Sequence, residues 1–165
     1  IDDRGPMVSI DERLQYQSMV AHIGVQEQRL AETMAQLVDE RAPSRACVIV
    51  GDGNETISER EKIKALENAL NDKGIKYRTI QCSNDGLADA LKNEDGAALI
   101  CMKPDMIQAV CEQAAQSSMI FGVGYDNSAR DYLEDGRIEA LVVIPSLIHI
   151  RRCRRTTSLC PRRPP

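Results

Sequence analysis

The stretch whose reading decides the fold is residues 119–146, MIFGVGYDNSARDYLEDGRIEALVVIPS. An apolar run over 119–125 meets the acidic Asp126, passes a cap-like Asn127-Ser128 into a short helix that stops at Gly136, and re-enters an apolar run at 138–144. Short apolar runs of this kind read as buried strands, and a helix between two of them is the crossover of a parallel pair. In an open parallel sheet, ligands gather beyond the carboxyl ends of the strands, which puts Asp126 where a bound molecule would sit. Asp126 also suits a plain helix cap, as Asp and Asn commonly do. On pattern alone the two readings stand level.

The same unit repeats upstream. Residues 45–50, RACVIV, form a β-branched run between Pro43 and the turn-like Gly51-Asp52-Gly53-Asn54, which predicts a buried strand. Thr56 and Glu59 then have capping-box spacing, Ile63, Leu66 and Leu70 make an apolar stripe, and Gly74 closes the helix. Further strands are expected at 76–82 and 97–102, with helices over about 84–93 and 104–116, the second opened by Pro104. Ahead of these, Leu30, Met34, Leu37 and Val38 share one helical face, predicting a helix over about 26–41. Residues 1–18 read as a strand end followed by a loop. The expected class is therefore α/β: a parallel sheet of about five strands with helices on both faces.

Charge is unevenly spread. The formal net charge is −4, but residues 147–165 hold six Arg and no acid, which leaves 15 basic against 25 acidic residues, a net of −10, over residues 1–146. An acidic body repels phosphate backbones and anionic lipid headgroups, so the expected ligand is neutral or cationic, and nucleic acid is not an expected partner. With four Tyr, one Phe and no Trp, the chain also lacks the aromatics of a base-stacking surface. Six Cys occur without a CxxC pair, and they read as small buried hydrophobes rather than as a disulfide framework or metal site. His149, Cys153 and Cys160 do not have a zinc-site spacing.

No enzyme site is legible. Gly51-Asp52-Gly53 belongs to neither GxGxxG nor GxxxxGK[ST], there is no GxSxG, and no cofactor is implied. What remains are polar residues at strand-to-helix junctions: Asp2, Asp3, Arg60, Lys62, Lys103, Asp126 and Asn127. Carboxylates and cations converging at one end of a sheet suit a small polar molecule held by charge-assisted hydrogen bonds. For Arg60 and Lys62 taken singly, a solvated helix face is the stronger reading.

The segments HIGVQEQRLAETMAQLV, VIVGDGNETISEREKIKALENAL, ALICMKPDMIQAV and VGYDNSARDYLEDGRIEALVVIPS, with Ile1-Asp2 at the start, together resemble the type I periplasmic-binding-protein superfamily. The resemblance is to sugar-binding proteins of ABC transporters of the ribose-binding type, and the same lobe serves as effector domain in the lactose-repressor family. It implies residues 1–22 as the end of a first lobe and the approach to a hinge, and 23–145 as the second ligand-binding lobe. It further implies a non-catalytic solute-binding protein, periplasmic or a surface lipoprotein, that delivers a carbohydrate-like ligand to a membrane permease. The alternative it implies is a cytoplasmic effector-sensing domain of a transcription regulator.

Residue by residue, Asp126 matches the family's ligand-binding Asp, which shifts its reading toward binding, and Asp2 matches a first-lobe binding Asp. Asp3 stands where ribose binders have Arg. Lys62 stands where sugar binders have an Arg, with Arg60 as a substitute, and Lys103-Pro104 replaces a common Asn-Asp. Past residue 145 the chain departs from the family, and SLIHIRRCRRTTSLCPRRPP resembles a translated sequencing adapter. Residues 146–165 are accordingly expected to be a non-native basic tail, against the competing reading of a tail that contacts anionic lipid or nucleic acid.

Overall fold

The computed structural model describes residues 7–10, 19–23, 26–124 and 127–143. Strand β1 (Met7–Ile10) pairs in parallel with β2 (Met19–Ile23) in a small sheet of its own. Then follow α1 (Glu27–Glu40), β3 (Ala46–Val50), α2 (Ile57–Asp72), β4 (Tyr77–Gln81), α3 (Leu87–Leu91) and β5 (Ala98–Cys101). The series ends with α4 (Ile107–Gln113), β6 (Met119–Val123), α5 (Asn127–Glu134) and β7 (Ala140–Val142). The second sheet has five strands in the order β4-β3-β5-β6-β7, all parallel. Each strand expected from residue 45 onward is present, and β1 is an addition to the expected set.

The central strand explains the layers. All five residues of β3 are buried, and successive side chains point to opposite faces. Cys47 and Ile49 join Leu99, Cys101, Leu87, Ile107 and Ile120 in one core under α3, α4 and α5. Ala46, Val48 and Val50 join Ile100, Phe121, Met34, Leu66 and Leu70 in the other, under α1 and α2. Full burial of each large aliphatic side chain contributes about 1.5–3 kcal/mol, so two apolar faces hold a sheet that neither could hold alone. Helix ends follow local chemistry. Thr56 and Glu59 form the expected capping box, with Thr56 N–H donating to Glu59 at 2.7 Å and Glu59 N–H to Thr56 Oγ1 at 3.2 Å. α3 and α4 are each preceded by a 3₁₀ turn, Asn84–Gly86 and Pro104–Met106, so the expected longer helices begin as tighter coils.

The amino-terminal edge of the sheet is closed by polar contacts. Glu94 is only 4% exposed. Its carboxylate pairs with Arg78 and, at 3.4 Å, with Arg45, and accepts from the Cys47 thiol at 2.8 Å. Nearby, the Arg137 guanidinium donates to the carbonyls of Cys111, Ala114, Ala115 and Ser118 at 2.8–3.3 Å, covering the free acceptors at the end of α4. Burial pushes the Cys47 thiol up to about 11, reinforced by Glu94, and burial likewise raises Cys101 to about 12 and Cys111 to about 11.

Two outcomes follow for stability. Glu94→Ala, which strips two guanidinium groups and a thiol of their acceptor, is expected to lower the unfolding free energy by about 2–3 kcal/mol, read as a lower urea midpoint at unchanged slope. The raised thiols keep their protons longer in the folded chain than in the unfolded one, whose thiols titrate near 9. Their contribution is therefore complete below pH 9 and is lost as pH rises through about 11–12. Urea midpoints between pH 8 and 11 should fall, and less steeply in Cys101→Ala. A flat profile would contradict this.

Candidate functional site

Parallel order places the crevice. β4 and β5 lie on opposite sides of β3, and the segments leaving β3 and β5 turn to opposite faces, the first to α2 and the second to α4. The chain parts there, so a depression opens at the carboxyl ends of β3 and β5, the switch point of an open α/β sheet. A pocket of about 120 Å³ occupies it. β3 and its exit contribute Val50, Gly51 and Glu55; α2 contributes Glu59, Lys62 and Ile63. The β5 exit adds Met102, Lys103 and Pro104, and β6 adds Val123 and Gly124. A second hollow of about 220 Å³ lies alongside, bounded by Asp52, Cys82, Ser83, Asn84 and Asp105, and Lys103 lines both.

Two glycines make this arrangement possible. A Cβ on Gly51 would stand 2.6 Å from Lys103 Cε and 3.1 Å from Cδ, so the lysine stem lies directly across the end of β3 where only hydrogen fits. Gly124 has φ +110°, a conformation L side chains rarely adopt, and a Cβ there would stand 2.9 Å from Pro104 Cβ. Pro104 begins the 3₁₀ turn behind Lys103, whose own backbone is extended at φ −111° and ψ 123°. Strand end, proline and glycine together set the direction in which Lys103 leaves the sheet.

The expected site residues separate. Lys62 and Lys103, both half-buried, line the same pocket. Arg60 is exposed and does not line it. Two residues along a helix is a rotation of about 200°, so Arg60 and Lys62 cannot share a face, and Arg60 is no substitute for Lys62. Asn127 is exposed at the start of α5 and does not line the pocket either. Asp2, Asp3 and Asp126 lie outside the described residues, as does the 146–165 tail. Sequence reading missed Glu55 and Gly51 as parts of the site, and took Glu59 for a cap alone. Nothing in the local pattern announces them, because their roles depend on where the β5 exit lies.

The carboxylates and cations in the pocket are not equivalent. Glu59 accepts from Thr56 N–H, and Glu55 accepts from Gly53 N–H at 3.2 Å. Lys62 and Lys103 have no ion pair or side-chain hydrogen bond among the described residues. Among the described residues, the site thus offers two ammonium groups without an ion pair beside two carboxylates that hold backbone.

Several solved structures share this fold. A periplasmic sugar-binding protein of an ABC sugar transporter from Legionella pneumophila superposes with a TM-score of 0.66 at 11% identity, over 84% of this chain and 57% of its own. A glucose-galactose binding protein from Geobacillus stearothermophilus gives 0.69 at 16% identity, over 84% and 55%. The periplasmic component of a sugar transport system from Hahella chejuensis gives 0.68 at 13%, over 84% and 56%. The fold is that of the type I periplasmic-binding proteins. The chain spans little more than half the length of these structures. No protein-family model and no curated protein matches the chain.

Within this type I periplasmic-binding-protein fold, the two glycines should respond differently to a methyl group. Gly124→Ala is expected to cost about 2 kcal/mol, since positive φ and the Pro104 ring both resist it. Gly51→Ala should cost less than about 1 kcal/mol, because the flexible end of Lys103 can move aside. Urea unfolding of the two variants decides; equal costs would mean Lys103 is held as rigidly as Pro104.

Proposed function

We propose that this chain is the second lobe, with the end of the first, of a solute-binding protein that serves a bacterial ABC importer and closes two lobes on a small polar, sugar-like ligand. The observation that carries the reading is the pocket at the switch point, where Lys62 and Lys103 converge with no ion pair among the described residues, on a lobe of this fold. Its solved likenesses are sugar-binding transport components, which favours the importer over a repressor's effector domain and a non-enzymatic role over catalysis. Residues 1–22 belong in this reading to the first lobe and the approach to the hinge, and 23–145 to the second. That β1 and β2 pair with each other rather than with the five-stranded sheet supports the division. In this reading Asp126, two residues past Gly124 in the sequence, accepts hydrogen bonds from the ligand, and Asp2 and Asp3 act from the first lobe. The protein works outside the cytoplasmic membrane and hands its ligand to a permease.

Calorimetric titration of the two-lobed protein with a panel of sugars, polyols and sugar acids tests this. At least one ligand should bind, with its affinity reduced roughly tenfold or more by Asp126→Ala and by Lys62→Ala, the loss typical of a charge-assisted hydrogen bond. Arg60→Ala should leave it unchanged. If both of the first two variants bind like the parent, the pocket is not the site. The 165-residue chain alone should bind the same ligand far more weakly.

A further inference from the structure

On the reading just given, which this step deepens, we infer that the ligand is an acid: a polyhydroxylated molecule carrying one carboxylate, received by Lys62 and Lys103 together. The inference begins with how the two cations are placed. Lys103 lies along the bare backbone of Gly51, with the stem within 2.6 Å of where a Cβ would be, so its ammonium stays over the end of β3 rather than extending into solvent. Lys62 reaches the same pocket from α2, one helical turn beyond Glu59. Both are half-buried, and neither forms an ion pair with another described residue.

Lobe closure removes water from such a pocket. An ammonium then loses its hydration, and a neutral hydroxyl replaces it poorly because it brings no counter-charge. Two ammonium groups double the deficit. A carboxylate answers both, accepting from each lysine through separate oxygens.

The other lining groups limit the ligand's charge. Glu55 and Glu59 share the pocket and engage backbone N–H groups through single carboxylate oxygens, at 3.2 and 2.7 Å. Asp52 and Asp105, both exposed, face Lys103 across the second hollow. Against these four carboxylates a doubly charged phosphate adds two negative charges where a single carboxylate adds one, and that one can contact both lysines. The remaining acceptor oxygens of Glu55 and Glu59 suit hydroxyl groups. One carboxylate among several hydroxyls describes a sugar acid.

Matched pairs test the inference in the two-lobed protein: glucose against glucuronate and gluconate, galactose against galacturonate and galactonate, each titrated by calorimetry. At least one acid should bind tenfold or more tighter than its neutral partner, the scale of one charge-assisted contact. Added salt should weaken that acid alone. Lys62→Gln and Lys103→Gln, checked for an unchanged melting temperature, should each remove most of the preference, lowering the acid's affinity several-fold more than the neutral sugar's. A neutral sugar that binds as well as its acid overturns the inference and leaves the binding-protein reading standing, as does a preference that survives in the double variant. A panel in which nothing binds defeats both.

Discussion

A strand buried on both faces has no polar side, and that constraint on β3 organises the molecule. Ala46, Cys47, Val48, Ile49 and Val50 are all buried, so the backbone amides must be satisfied within the sheet and both faces must be covered by helices. Parallel pairing with β4 on one side and β5 on the other means that successive connections cross opposite faces. The segments at the carboxyl edge consequently diverge, and the opening between them is where Lys103 and Lys62 meet. The crevice follows from covering β3, and Gly51 and Gly124 give Lys103 and Pro104 the room to line it.

The two edges of the sheet handle charge in opposite ways. At the amino-terminal edge Glu94 is buried against Arg45 and Arg78, and Arg137 covers carbonyls at the end of α4, so each charged group there is matched within the chain. At the carboxyl edge the glutamates hold backbone while the lysines hold nothing among the described residues. A partly buried charge left without a partner is costly unless something else supplies one. The contrast within one small domain separates an edge whose charges are matched from an edge whose two lysines form no ion pair among the described residues.

How much of this was legible depended on whether the signal was local. RACVIV and the run at 119–125 announced themselves because a doubly buried strand is apolar throughout, and Thr56 with Glu59 because a capping box is a three-residue geometry. Met7–Ile10 was hidden: four residues in a polar stretch become a strand only through a partner more than ten positions away. The site divides the same way. Lys103 could be placed at a strand end and Lys62 on the first turns of α2 from pattern and resemblance. That Gly51 exists to let Lys103 pass is a tertiary fact, and Arg60 was proposed by proximity in sequence where helical rotation forbids it.

On the ligand's charge, a bulk property and a local inference point in different directions. A net charge of −10 over residues 1–146 suggests a neutral or cationic ligand, yet many of those acids are exposed on helices and engaged there, as Glu32 is with Gln28, Glu40 with Gln36 and Glu134 with Arg130. At physiological ionic strength the field of an exposed charge decays over roughly 8 Å, so acids on the far helices scarcely reach the switch point. What a ligand meets at contact is set by the nearest groups, and among the described residues these include two ammoniums without an ion pair. An acidic surface slows the approach of an anion and lowers its rate of encounter. What an anion gains once the pocket has closed around it comes from contact with the desolvated lysines, set against the neighbouring Glu55 and Glu59.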